Sequence, residues 1–151
     1  MQTPERGRWD WSSIGPFAAA REMRDVAASP FQYAMVRVVP DVERGECLNA
    51  GVIVFCRPRR FLAAGIALDE RRLQALAPDV DVDAVRAHLG AVERIAAGDP
   101  AAGPIATLPP SERFHWLVAP ASTIIQPSPV HTGLTEDPER ELRRLLDRLV
   151  R

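Results

Sequence analysis

FQYAMVRVVPDVERGECLNAGVIVFC, from Phe31 to Cys56, sets two apolar runs either side of a polar connection. The first run, Phe31–Val39, is rich in β-branched and aromatic residues and predicts a strand. Pro40 and Gly45 bracket the connection Asp41–Arg44, and Glu46–Cys56 predicts a second strand. Together they predict an antiparallel hairpin. Its loop is too long for a two-residue turn, so the pattern alone leaves the register open. Pro58 ends the second strand and Phe61–Leu68 predicts a third, which suggests a meander.

Helical spacing takes over downstream. Asp69 is placed to cap a short helix with Leu73 and Leu76 inward, ended by Pro78. Asp81 or Asp83 caps a second helix, in which Val85, Leu89, Val92 and Ile95 share a face and Gly98 is the stop. Asp99–Pro110 reads as a linker. Arg113–Ala119 (RFHWLVA) predicts a fourth strand and Thr123–Gln126 a short fifth. The loop PSPVHTG then leads to Asp137-Pro138, an N-cap and first-turn pair. The final helix carries Leu142, Leu145, Leu146, Leu149 and Val150 on one stripe. This order predicts an α+β domain over residues 31–151. Its core is an antiparallel sheet of about four to five strands, opening with a hairpin or meander, with about two to three helices packed on it. Residues 1–30 read as an N-terminal extension, weakly helical from Phe17 to Ala28 or disordered. Its Trp9 and Trp11 suit docking on the domain or on a partner.

Composition narrows the chemistry. A chain of 151 residues is long enough for one domain with a real core, and a net charge of −1 offers no bulk attraction to nucleic acid or membrane. All 19 basic residues are arginine, which removes Schiff-base, catalytic-base and phosphate-loop lysines. Cys47 and Cys56, nine residues apart on one predicted strand, would stand roughly 30 Å apart, beyond disulfide reach. The longest apolar run is too short to span a bilayer, and MQTPERGRWD has no apolar signal core. These features read as a cytoplasmic, bacterial-type protein.

Two polar constellations interrupt the apolar pattern. Strict alternation puts Arg37 on one face with Phe31, Tyr33, Met35 and Val39, where a desolvated guanidinium needs Glu46 or Glu43 as partner. It also puts Glu46 with Leu48, Ala50, Val52 and Val54, and Asn49 with Gly51, Ile53 and Phe55. Gly51 would then leave room beside Asn49 for a ligand or another backbone. These residues read either as a salt bridge and a turn-satisfying amide, or as a polar pocket at the loop end of the hairpin. The second constellation is Ser122, Thr123, Gln126, Ser128 and His131, framed by Pro120, Pro127 and Pro129. Of the three histidines, His88 reads as helix surface, His115 as sheet lining, and His131 as the acid–base candidate because it sits in a loop.

Several chemistries have no pattern here. The cysteines and histidines lack zinc spacing, and no GxGxxG, GxxxxGK[ST] or GxSxG is present. Asp79–Asp83 (DVDVD) lacks the glycine and glutamate of a calcium loop and reads as helix capping. Neither a metal nor a cofactor is expected. Arg57, Arg59 and Arg60 form a local basic patch that reads as a phosphate contact or a solvated turn.

YAMVRVVPDVERGECLNAGVIVFC, followed by WLVAPASTIIQPSPVHTG and a leucine-rich helix, resembles the bacterial family called domain of unknown function 3037, over about residues 31–150. The first motif has the form Y-x-x-x-R-x-x-P-D-x-x-R-G-E-x-x-N-x-G-V. The family name implies no activity. The resemblance implies a context, since members are often encoded beside a HipA-like serine/threonine kinase. The polar motif positions carry over as Arg37, Asp41, Arg44, Glu46 and Asn49, with Ser122, Gln126, His131 and Gly133 from the second block.

The leading expectation is a non-enzymatic accessory domain that binds a protein partner, a kinase-like one on the resemblance. Arg37 and Glu46 would hold the hairpin end, and Asn49, Gln126 and His131 would form the recognition surface. The rival is a hydrolase or transferase with His131 as base, Glu46 as acid or metal ligand, and Arg37 or Arg44 as anion clamp. A third reading is nucleic-acid binding through Arg57, Arg59 and Arg60. The first two readings need the hairpin tip and the proline-framed segment to be neighbours. The enzyme also needs His131 and Glu46 in one cleft.

Overall fold

The structure, a computed structural model, describes residues 28–151. The expected N-terminal helix and the two tryptophans ahead of it lie outside the described residues, apart from Ala28 at the end of that stretch.

Among these residues five strands form one antiparallel sheet: β1 (Ser29–Val38), β2 (Leu48–Cys56), β3 (Phe61–Ile66), β4 (Ile125–Pro127) and β5 (His131–Thr135). The order is β3-β2-β1, with β4 and β5 both paired to the far side of β1. The described residues also hold four α-helices: α1 (Glu70–Leu76), α2 (Val82–Ala97), α3 (Pro110–Leu117) and α4 (Pro138–Leu149). The α+β class and the opening meander are as the strand and helix patterns predict. The helices lie on both faces of the sheet. Leu142, Leu145 and Leu146 of α4 pack on Phe31, Val52, Val54 and Cys56. Leu73 of α1, Val85 and Leu89 of α2 and Phe114 of α3 pack on Val36, Val38, Ile53 and Phe55 from the other side.

Helix ends follow local chemistry. Asp69, Asp81 and Asp137 each accept backbone N–H groups of the first turn. Gly98 closes α2 in the left-handed conformation, φ +74°. The guanidinium of Arg113 lies where a side chain at Gly98 would be, and its Nη1 donates to the carbonyls of Ile95 and Ala96 at 3.2 Å each. A buried cation thus serves the orphan carbonyls and the negative end of α2.

The segment Arg113–Ala119 corrects the predicted fourth strand, because Pro110–Leu117 is the helix α3. Pro110 at its first turn pre-sets the helical backbone, and Phe114 and Leu117, three apart, share the buried face with Arg113. Alternation of Phe114, His115 and Trp116 mimics a strand only over that short window. His115 is therefore an exposed helix residue and does not line the sheet.

Two bulges break the strict alternation that predicts the faces of the hairpin. Val36 pairs with Gly51 but Arg37 pairs with Asn49, so Ala50 is an extra residue in β2. The bulge moves Leu48 and Ala50 onto the α2 face with Ile53 and Phe55, away from Val52 and Val54. The second bulge lies on the outer strand. Val36 faces Pro127 and Tyr33 faces His131, so β1 advances three residues while its neighbour advances four. Ser128 fills the gap: its N–H donates to the Met35 carbonyl at 2.8 Å, and its Oγ accepts from the Met35 N–H at 2.8 Å. Both ladder bonds survive although the flanking prolines have no N–H to give.

Candidate functional site

The loop after β1 is built by Asp41, whose Oδ1 accepts from the backbone N–H groups of Glu43 and Arg44 at 3.0 and 3.4 Å. Gly45 follows at φ +70°, and its N–H returns to the Asp41 carbonyl at 3.1 Å. Asp41 is thus spent on its own turn. The chain leaves the turn with Glu46 exposed beside Arg44, whose Nε donates to Glu46 Oε1 at 2.9 Å. The hydrogen bond to Glu46 first, and the Glu46 charge second, raise the pKa of Arg44 above its ordinary value. The expected Arg37–Glu46 pair does not form. Glu46 lies outside β2, which begins at Leu48, and its near neighbour in sequence takes the carboxylate first.

Asn49 is structural. Its Nδ2 donates to the carbonyl of Leu149 at 3.1 Å, tying β2 to the last turn of α4. The space expected beside Gly51 is filled by β3: a Cβ there would meet Ile66 Cδ1 and the Gly65 carbonyl within 2.6 Å. Gly51 therefore admits another strand's backbone and not a ligand.

Arg37 and Gln126 are cross-strand partners in the β1–β4 register. The Val39 N–H donates to the Ile124 carbonyl at 2.7 Å and extends this pairing toward the loop. The hairpin tip and the proline-framed segment are neighbours as a result. A cleft of about 270 Å³ opens between them, lined by Arg37, Val42, Gly45, Cys47, Ser122 and Gln126, with Val39 and Pro127 beneath. Arg37 is half-buried, with no hydrogen-bond acceptor or ion-pair partner for its side chain among the described residues. Its Nε is wholly shielded from solvent and unsatisfied. Gln126 Nε2 donates to the Thr123 carbonyl at 2.9 Å, which fixes the amide along the cleft wall.

His131 is not part of this cleft. It stands in β5, exposed, opposite Tyr33, and its ring stacks on Tyr33 with centroids 5.1 Å apart. The predicted loop is a strand because Ser128 carries the pairing past the prolines. Glu46 lies beyond the Val38–Leu48 pair, five residues further along β1, so roughly 16 Å or more separates it from His131. An acid–base pair acting on one substrate needs the two within a few ångströms of a common atom. Gly133, the other motif position in β5, lies under the Phe31 ring, which covers the missing side chain.

A family model described as "Protein of unknown function (DUF3037)" matches residues 33–150. The chain belongs to this family. No curated protein and no solved structure matches it. The DUF3037 match runs from within β1 to the end of α4, so both walls of the Arg37 cleft lie inside the family region.

Other surfaces of the DUF3037 fold offer less chemistry. No group of three His, Cys, Asp or Glu among the described residues is placed to hold a metal ion. No helix among the described residues is long and apolar enough to cross a membrane. Cys47 is exposed and Cys56 buried, both as free thiols. Arg57, Arg59 and Arg60 are exposed around a short 3-10 turn, where Arg59 Nε donates to Ser29 Oγ at 3.0 Å. A wider groove of about 430 Å³, mainly apolar, runs between α2, α3 and β4 past Val92, Trp116, Pro120 and Ile125. Trp116 at its rim is 50% exposed. Sequence alternation places this residue in a strand, and only the helix brings it to the surface.

Proposed function

We propose that this chain is a non-enzymatic accessory domain that binds a protein partner through the surface where the β1–β2 loop meets residues 122–127. A HipA-like kinase is the partner class, on the gene context that the family resemblance implies. The observation that carries the reading is the pairing of Arg37 with Gln126 and of Val39 with Ile124. It pools the side chains of two segments far apart in sequence into one cleft whose polar groups are only partly used by the fold. Rigid loops holding unspent hydrogen-bond groups suit recognition. The separation of His131 from Glu46 argues against the hydrolase or transferase reading, which needed them together.

The test is capture of a purified HipA-like kinase from the same source cell by the tagged full chain. Glu46→Ala and Gln126→Ala, both judged folded by circular dichroism and melting, are expected to lose capture. Equal capture by both variants and the parent sinks the reading.

A further inference from the structure

We propose that Arg37 anchors a subsite for a carboxylate, received from an acidic side chain of the bound protein. This rests on the partner-binding reading above and names the chemistry of its cleft.

The fold treats two arginines differently. Both Arg37 and Arg113 have an Nε shielded from solvent with no acceptor. Arg113 is nonetheless used, because its Nη1 serves two carbonyls at the end of α2. The Arg37 side chain makes no hydrogen bond and no ion pair among the described residues, although it is half-buried in the sheet. Its Nε is cut off from water with no acceptor while the Nη end of the guanidinium is not, so the open end of the fork is free to take an anion supplied from outside the chain. The cleft that it lines contains no Asp or Glu among the described residues to compete.

Charge and size select the anion. Arg37 is the only Arg, Asp, Glu or His among the described residues of the cleft wall, whose other polar residues are Gln126, Ser122 and Cys47. A single cation balances a carboxylate monoanion, whereas a phosphate dianion would keep an unmatched charge in a half-buried site. The planar fork of guanidinium also matches a carboxylate bidentately. At about 270 Å³ the cleft has room for one side chain of a larger partner.

The experiment follows the Arg37 Nε–H and Gln126 Nε2–H₂ signals of the ¹⁵N-labelled full chain by NMR. Sodium acetate is titrated against sodium chloride and sodium phosphate at matched ionic strength. A doubly capped Gly-Glu-Gly peptide is compared with its Gly-Gln-Gly counterpart. Saturable shifts with acetate and the Glu peptide are expected, with none for chloride or the Gln peptide. Affinity should fall roughly tenfold or more in Arg37→Gln. Arg37→Lys, which keeps the charge and loses the fork, should fall between the two and serves if Arg37→Gln does not fold. Non-saturable shifts, equal binding by the variants, or tighter binding of phosphate overturns the proposal. If the parent captures the kinase but binds no acetate, this inference fails and partner binding stands. If acetate binds saturably and no kinase is captured, the partner reading fails instead.

Discussion

Asn49 Nδ2 donates to the Leu149 carbonyl at 3.1 Å, across a sequence separation of 100 residues. One amide thus joins the first hairpin to the C-terminal end of the last helix. Removing it leaves that carbonyl without its partner. Asn49→Ala should cost about 1–2 kcal/mol in urea unfolding, with faster amide exchange in the last turn of α4. Asn49→Asp should cost more at neutral pH than at acid pH, because a carboxylate facing a carbonyl at a helix C-terminus is held protonated. Its folded pKa is raised, so stability falls as pH rises through the carboxylate range. A pH-independent Asn49→Asp variant as stable as the parent would show that this tie contributes nothing.

Ser128 is 3% exposed and its hydroxyl receives the Met35 N–H. Ser128→Ala leaves that buried N–H without an acceptor and should lower stability by about 1–3 kcal/mol. Ser128→Thr keeps the oxygen and should recover part of the loss. Guanidinium unfolding midpoints at constant m-value measure both.

The glycines make an ordering test. A methyl at Gly51 meets the backbone carbonyl of Gly65 as well as Ile66, whereas one at Gly65 meets only the Leu146 side chain. Backbone yields less than a leucine rotamer. Gly51→Ala should therefore destabilise more than Gly65→Ala, both within or beyond the roughly 1–3 kcal/mol of overpacking. Gly90, inside α2, has open space where a methyl would stand, with nothing within 4 Å. Gly90→Ala should therefore be neutral or gain up to about 1 kcal/mol of helix propensity. Thermal melts of the three variants should rank them in that order.

Arg113 and Arg37 should respond oppositely to the same substitution. Arg113→Met strips two carbonyls at the end of α2 of their donor and should cost about 1–3 kcal/mol. Arg37→Met deletes a half-buried charge with no internal partner among the described residues, so stability should stay level or rise. A fold weakened equally by both would mean that Arg37 has a structural duty, and the cleft would lose its anchor.

Much of the fold is readable from the sequence because its signals are local. Asp69, Asp81 and Asp137 announce helix starts, Gly98 a stop, and the leucine stripe of α4 a buried face. The candidate site is readable by residue type and not by role. Arg37 is legible as a charge in an apolar strand, but its predicted partner Glu46 goes to Arg44. Asn49 looks like a ligand-binding amide and is a tie to α4. His131 looks like a loop base and is a strand residue stacked on Tyr33. Arg113–Ala119 misleads because a seven-residue window fits both periods, and the proline that decides it, Pro110, stands outside that window.

The amino-acid order by itself determined the meander, the caps, the amphipathic last helix and the absence of lysine chemistry. Each depends on neighbours within a few residues or on composition alone. Only the tertiary structure decided which polar groups share a cleft. Inserting Ala50 into β2 and Ser128 into the outer strand shifts two registers by one residue, and one residue turns a strand's side chains to the opposite face. That shift depends on how separate strands settle against each other and against the helices, through contacts that no stretch of the chain contains on its own.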